Sequence, residues 1–146
     1  MHNAGRETVK PKINGLNHLG IVVEDINVAR QFFEGVLGFE VFLDRGELLF
    51  YLVGDDVLAV KTPKMAVAKP EHGGEESRVG TRSGWQTLDH YGFFAPTPAD
   101  VDVMHDHLRQ HNIEILKGPY DRSDGRSVYF RDPCGNVGEY LYFNPN

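Results

Sequence analysis

The chain has 146 residues, 40% of them apolar and 25% charged, with a formal net charge of −6 and a single cysteine, Cys134. That length and balance suit one compact soluble domain with a real core. The acidic excess argues against nucleic acid or an anionic membrane surface as a partner, and a lone cysteine excludes an internal disulfide and points to a reducing cytoplasm. No apolar run is long enough to span a membrane.

Taken in order, MHNAGRETVKPK (residues 1–12) shows no signal peptide and reads as a flexible polar tail ahead of one domain over 13–146. Leu16 to Val23 is β-branched and predicts a strand. Asp25 is a good N-cap for a helix whose apolar stripe is Val28, Phe32, Val36 and Phe33 and whose end is Gly38. Three short strands follow, Glu40 to Asp44, Leu48 to Val53 and Val57 to Lys61, with turns at Gly46 and at Gly54-Asp55-Asp56. This is a βαβββ module, residues 13–61. Residues 62–84 hold two prolines, three glycines before Gly84 and mixed charge without periodicity, which predicts a long connecting loop of lid-like character. The second module, 85–146, repeats the order: a strand from Leu88 to Phe94, an N-cap at Thr97 with Pro98 at the first helical position, a stripe of Val101, Met104 and Leu108, then strands Glu114 to Leu116, Ser127 to Arg131 and Val137 to Phe143.

The repetition has a register. HLGI at His18 and HYGF at His90 lie 72 residues apart, and GFEV at Gly38 and NIEI at Asn112 lie 74 apart. Shared order, shared caps and a near-constant offset predict an internal duplication. The fold class expected is α+β: two tandem βαβββ modules forming a cupped mixed sheet.

Duplication gives His18 a counterpart, His90, on the first strand of the second module. The closing strand of that module, VGEYLYF, places Glu139 in an apolar setting, where a carboxylate without a partner is costly. Two histidines and one carboxylate around open positions suit a divalent transition metal. His107 and His111, four apart on the second helix, have metal-compatible spacing but no acidic partner. Cys134 lacks the base and positive setting a nucleophile needs.

Two stretches, NHLGIVVEDINVARQFFEGVLGFEV and GRSVYFRDPCGNVGEYLYF, resemble the vicinal oxygen chelate superfamily, the glyoxalase, bleomycin-resistance and extradiol-dioxygenase group. The resemblance runs from about Ile13 to Phe143, and its more specific mark is the F-x-DP-x-GN turn followed by a glutamate. It implies that His18, His90 and Glu139 hold one metal ion in a homodimeric enzyme with a small-molecule substrate. In glyoxalase I a fourth ligand sits on the last strand of the first module, where this chain has Ala59, with Leu58 beside it. Fosfomycin-resistance enzymes carry a threonine two residues after the first histidine, where this chain has Gly20, yet share the GRS-x-YF run of Gly125 to Phe130. Extradiol dioxygenases use two histidines and one glutamate on Fe(II), with a tyrosine ten residues before the glutamate, which here is Tyr129.

The same resemblance puts an acid–base histidine before His90. Glu75 stands at its expected position and His72 is the nearby histidine. Arg126 or Arg122 would pair with an acidic substrate, and Trp85 would wall the pocket. The expectation is therefore a metal-dependent enzyme most like a small extradiol-type dioxygenase, with Fe(II) favoured and Ni, Co, Mn or Zn as other metals. The alternatives are a metal-dependent isomerase, epimerase or epoxide-opening enzyme, and a binding protein that sequesters a small molecule.

Overall fold

In the computed structural model, which describes residues 10–13, 15–66 and 88–144, the caps act where the sequence puts them. The Asp25 carboxylate accepts the backbone N–H of Asn27 at 2.8 Å and starts helix α1, Ile26–Arg30. Thr97 Oγ1 accepts from the Asp100 N–H at 3.3 Å and starts helix α2, Pro98–Gln110. Both helical stretches close on a residue in the left-handed region, Gly38 with φ 72° and Asn112 with φ 57°. These two residues are aligned by the internal repeat, so the duplication reaches down to backbone conformation.

The first helix departs from the regular α-helix expected. After Arg30 it widens into a π-helical segment, Gln31–Val36. Adjacent residues on an α-helix point about 100° apart, so Phe32 and Phe33 face different neighbours. Here both are buried, because the helix lies between the modules. Phe32 meets Phe130 of the second module at 5.9 Å, and Phe33 packs among Phe39, Tyr51 and Tyr91. The main core is accordingly shared, with Ile21, Leu49 and Val60 from one module joined to Tyr91, Leu108 and Phe130 from the other.

The strands are β1 (His18–Val22), β2 (Glu40–Asp44), β3 (Leu48–Val53), β4 (Asp56–Lys61), β5 (Tyr91–Phe94), β6 (Glu114–Arg122), β7 (Gly125–Arg131) and β8 (Val137–Phe143). They form two four-stranded mixed sheets of orders β1-β4-β3-β2 and β5-β8-β7-β6. In each, the first strand runs parallel to the last and the other pairs are antiparallel. This is the tandem βαβββ architecture, built as two sheets around an interposed helix.

Several strand boundaries differ from expectation, and the two largest shifts are in β5 and β6. Strand β5 begins at Tyr91, so His90 stands just ahead of it. Strand β6 continues past Gly118-Pro119 to Arg122, because register shifts against β7 absorb the proline that a regular ladder would reject. Most of the predicted loop 62–84, with His72 and Glu75, lies outside the described residues, as does Trp85; Pro63–Met65 forms a 3-10 turn. Among the described residues no helix is long and apolar enough to cross a membrane.

Candidate metal centre

The second sheet builds a cluster around Glu139. On β7, Val128 and Phe130 point into the core, so the strand's period of two turns Ser127 and Tyr129 to the opposite face. Glu139 is the direct cross-strand partner of Tyr129 on one side and of Gly92 on the other. Its side chain is 5% exposed. Such a carboxylate needs partners on both oxygens, and it has them. Oε1 accepts from Ser127 Oγ at 2.7 Å and from Arg122 Nη1 at 3.0 Å. Oε2 lies 3.2 Å from His90 Nε2. The other ring nitrogen of His90, Nδ1, is 2.6 Å from Asp89 Oδ2. The His90 ring stands edge-on to Tyr129, whose hydroxyl is pushed up to about 12 by burial and by the Glu139 carboxylate. Tyr129 is therefore a neutral donor at physiological pH.

The backbone behind this cluster is tied by a second set of contacts. Tyr91, next to His90, turns inward and donates its hydroxyl to Asp132 Oδ2 at 2.6 Å. Asp132 Oδ1 accepts from the N–H groups of Cys134 and Asn136. The DPCGN turn thus fastens the start of β5 to the hairpin that leads into β8. Gly138, beside Glu139 and opposite Tyr91, has no room for a side chain: a Cβ there would overlap the Phe130 ring and stand 2.7 Å from a Tyr91 ring carbon. Burial, Asp132 and Asp25 hold the Cys134 thiol up at about 12, so it stays protonated.

His18 occupies the corresponding place in the first module. Its Nδ1 is 2.8 Å from Asn17 Oδ1, as His90 Nδ1 is engaged by Asp89. In both modules the residue before the histidine engages Nδ1, leaving Nε2 as the nitrogen for another partner, and the dipeptides Asn-His and Asp-His carry that signal in the sequence. Parallel pairing sets Gly20 against Ala59 and Gly92 against Glu139, so Ala59 stands where Glu139 stands in the other module. His18 and His90 line one cleft of about 290 Å³ together with Leu58, Gly92 and Phe93. Within one chain His18 does not join His90 and Glu139: among the described residues no three His, Cys, Asp or Glu side chains converge as a metal-holding group.

Other sequence candidates are placed elsewhere. Arg126 lies on the opposite face of β7 from Ser127 and Tyr129, gripped by Asp102 at 2.8 Å and Asp121 at 2.9 Å. Arg122, not Arg126, is the arginine at Glu139. His107 Nε2 meets the Val36 carbonyl at 2.7 Å and His111 Nδ1 that of His107 at 2.9 Å, so both rings serve backbone carbonyls. Ser127 and Asp89 escaped sequence reasoning because neither residue type signals a role until the fold places it beside a buried acid or an imidazole.

The donor set fits a divalent ion. Two ligand atoms about 2.1 Å from one ion and about 90–110° apart stand about 3.0–3.4 Å from each other. The spacing of His90 Nε2 and Glu139 Oε2 falls in that range, and the remaining Nδ1 and Oε1 atoms are held by outer partners, as metal-binding imidazoles and carboxylates are.

The model of the Glyoxalase/Bleomycin resistance protein/Dioxygenase superfamily matches residues 15–140. Virulence protein STM3117 of Salmonella typhimurium is 28% identical over 137 residues, covering 91% of this chain and 87% of that protein. Metallothiol transferase FosB of Staphylococcus epidermidis is 23% identical over 126 residues, covering 86% and 79%. The crystal structure of lactoylglutathione lyase from Agrobacterium tumefaciens superposes with a TM-score of 0.68 at 25% identity, covering 90% of this chain and 95% of that one.

Proposed function

Because the chain belongs to the Glyoxalase/Bleomycin resistance protein/Dioxygenase superfamily, we propose that it is a divalent-metal-dependent enzyme acting on a small molecule with two adjacent oxygens, by a redox-neutral addition, elimination or isomerisation. The observation that carries the reading is the pairing of His90 Nε2 with Glu139 Oε2 at 3.2 Å, each group braced from behind. The metal, when bound, supplies a Lewis acid that polarises the chelated oxygens. Tyr129 donates a hydrogen bond to the substrate oxygen on which negative charge grows. Arg122 and Ser127 hold the Glu139 carboxylate in place through Oε1. The names of the relatives, a metallothiol transferase and a lyase, favour redox-neutral chemistry. Ala59 removes the fourth ligand of the glyoxalase I pattern, so lactoylglutathione is not the substrate favoured.

His18 completes the centre from a second copy in this reading. Among the described residues the first strands β1 and β5 are each hydrogen-bonded on one side only, and Leu16 ahead of β1 and Phe94 at the end of β5 are exposed at 79% and 78%. A two-fold dimer that covers these edges brings His18 of one copy to His90 and Glu139 of the other, twice. The test is metal content of His18→Ala, His90→Ala and the two co-expressed. Each variant alone is expected to lose the metal. The mixture is expected to regain about a quarter of the wild-type content per chain, since half the random dimers carry one intact centre. No recovery would place the centre within one chain, and full metal content in both single variants would remove it altogether.

A second reading, the extradiol dioxygenase, is favoured by one observation, Tyr129 directly opposite Glu139 across β7 and β8. It requires iron and oxygen uptake with catechols. An oxygen electrode decides between the two.

A further inference from the structure

On the sheet face that carries His18, Lys61 stands without a charged partner among the described residues. Leu58 and Val60 of β4 belong to the core, so Val57, Ala59 and Lys61 lie on the opposite face. Their register partners there are His18, Gly20 and Val22 on β1 and Leu52, Phe50 and Leu48 on β3. Lys61 is half-buried among Val22 and Leu48. Among the described residues its ammonium makes no ion pair and no hydrogen bond. Its stem folds over Gly20, with Cε 3.9 Å from where a Cβ on that glycine would be. Gly20 is two residues from His18 on the same face.

The second module shows what the fold itself requires at this place. Gly92, the counterpart of Gly20, is covered by Leu141, whose Cδ2 is 3.3 Å from the corresponding Cβ position. Leu141 follows Glu139 by two residues, as Lys61 follows Ala59. A leucine therefore satisfies the packing, and the charge of Lys61 serves no need of the sheet. The stem of Lys61 lies along apolar strands while its ammonium is not buried, so among the described residues it stays open to a charged group of a ligand. In a chain with 21 acidic and 15 basic residues, a carboxylate partner would be easy to supply. An anion delivered by the ligand would supply that partner.

We propose that Lys61 binds an oxyanion group of the substrate, a carboxylate, phosphate or phosphonate, beside His18. The inference deepens the proposed function and rests on its reading of His18 as part of the centre. Lys61 and His18 belong to one sheet, so their relation holds whichever copy supplies the other metal ligands.

Inorganic phosphate titrated by calorimetry into full-length protein, metal-free and loaded with Mn(II), tests it. Saturable binding is expected in the wild type, weakened about tenfold or more by Lys61→Met, whose stem still covers Gly20, and recovered to within about threefold by Lys61→Arg. Equal phosphate affinity in wild type and Lys61→Met, or no phosphate binding by wild type in either state, overturns the proposal. Phosphate binding that depends on Lys61 in a protein that takes up no Mn(II) supports it while defeating the metal reading.

Discussion

Ser127 and Arg122 converge on one oxygen of Glu139, and the consequences of that arrangement belong to single residues. A hydroxyl and a guanidinium take the place of water at that buried oxygen. Removing the hydroxyl in Ser127→Ala leaves Oε1 with Arg122 alone and frees the carboxylate to rotate away from His90. The expected result is a loss of about 1–2 kcal/mol in folding stability and a fall of about 10–100-fold in metal affinity, read by urea denaturation and by Mn(II) titration. An unchanged metal affinity with lowered stability would assign Ser127 to the fold alone. At Asp102 the governing group is Arg126, whose hydrogen bond holds the carboxyl below its ordinary value of 3.8. The sign follows: the stabilisation is fully present above that unfolded value and disappears as pH falls through the lower folded one. Asp102→Asn is therefore expected to flatten the acid limb of a Tm profile taken between pH 7 and 3. A profile parallel to the wild type would contradict the pairing.

At the scale of elements, the distance between His90 and Glu139 is set by neighbours that face the other way. Tyr91 and Gly138 are opposed across β5 and β8, and the tyrosine is anchored to Asp132 in the turn between β7 and β8. Gly138→Ala forces the Tyr91 and Phe130 rings to move, at an expected cost of about 1–3 kcal/mol, with metal affinity falling as the register around Glu139 shifts. Tyr91→Phe keeps the ring and removes only the donor to Asp132, so it is expected to cost about 1–3 kcal/mol with a smaller effect on metal. Thermal denaturation and metal titration of the pair separate the two contributions. The reverse ranking on metal affinity would show that the hydrogen bond, not the glycine, sets the register. The π-helical segment works at the same scale. With Phe32 against Phe130 and Phe33 against Tyr51 and Tyr91, one helical stretch packs on both modules.

For the whole molecule, the outer edges of β1 and β5, unpaired among the described residues, and the apolar groups beside them are the surface that the proposed dimer covers. Exposed strand edges with large apolar side chains invite association. Phe94→Glu puts a charge on that surface without touching the core, since the side chain is 78% exposed. It is expected to give a folded monomer by sedimentation velocity, with circular dichroism unchanged and metal content per chain sharply reduced. A variant that stays dimeric and metal-replete would move the interface elsewhere.

The order of strands and helices, both N-caps, the left-handed helix ends and the duplication were written in the sequence, because each depends on local spacing or on a residue's own conformational preference. The match of Ala59 with Glu139 was legible from the shared order of strands, although its offset of 80 exceeds the 72 between His18 and His90 because the second module is longer between its first and last strands. What could not be read there depends on which side chains meet across long separations. The π-helical widening comes from two adjacent phenylalanines serving two sheets, the choice of Arg122 over Arg126 from which face of a strand each presents, and the grip of Ser127 on Glu139 from a cross-strand approach. The packing of the two sheets also decides that one chain brings His90 and Glu139 together without His18. Periodicity is a property of a segment, whereas contact is a property of the packed whole.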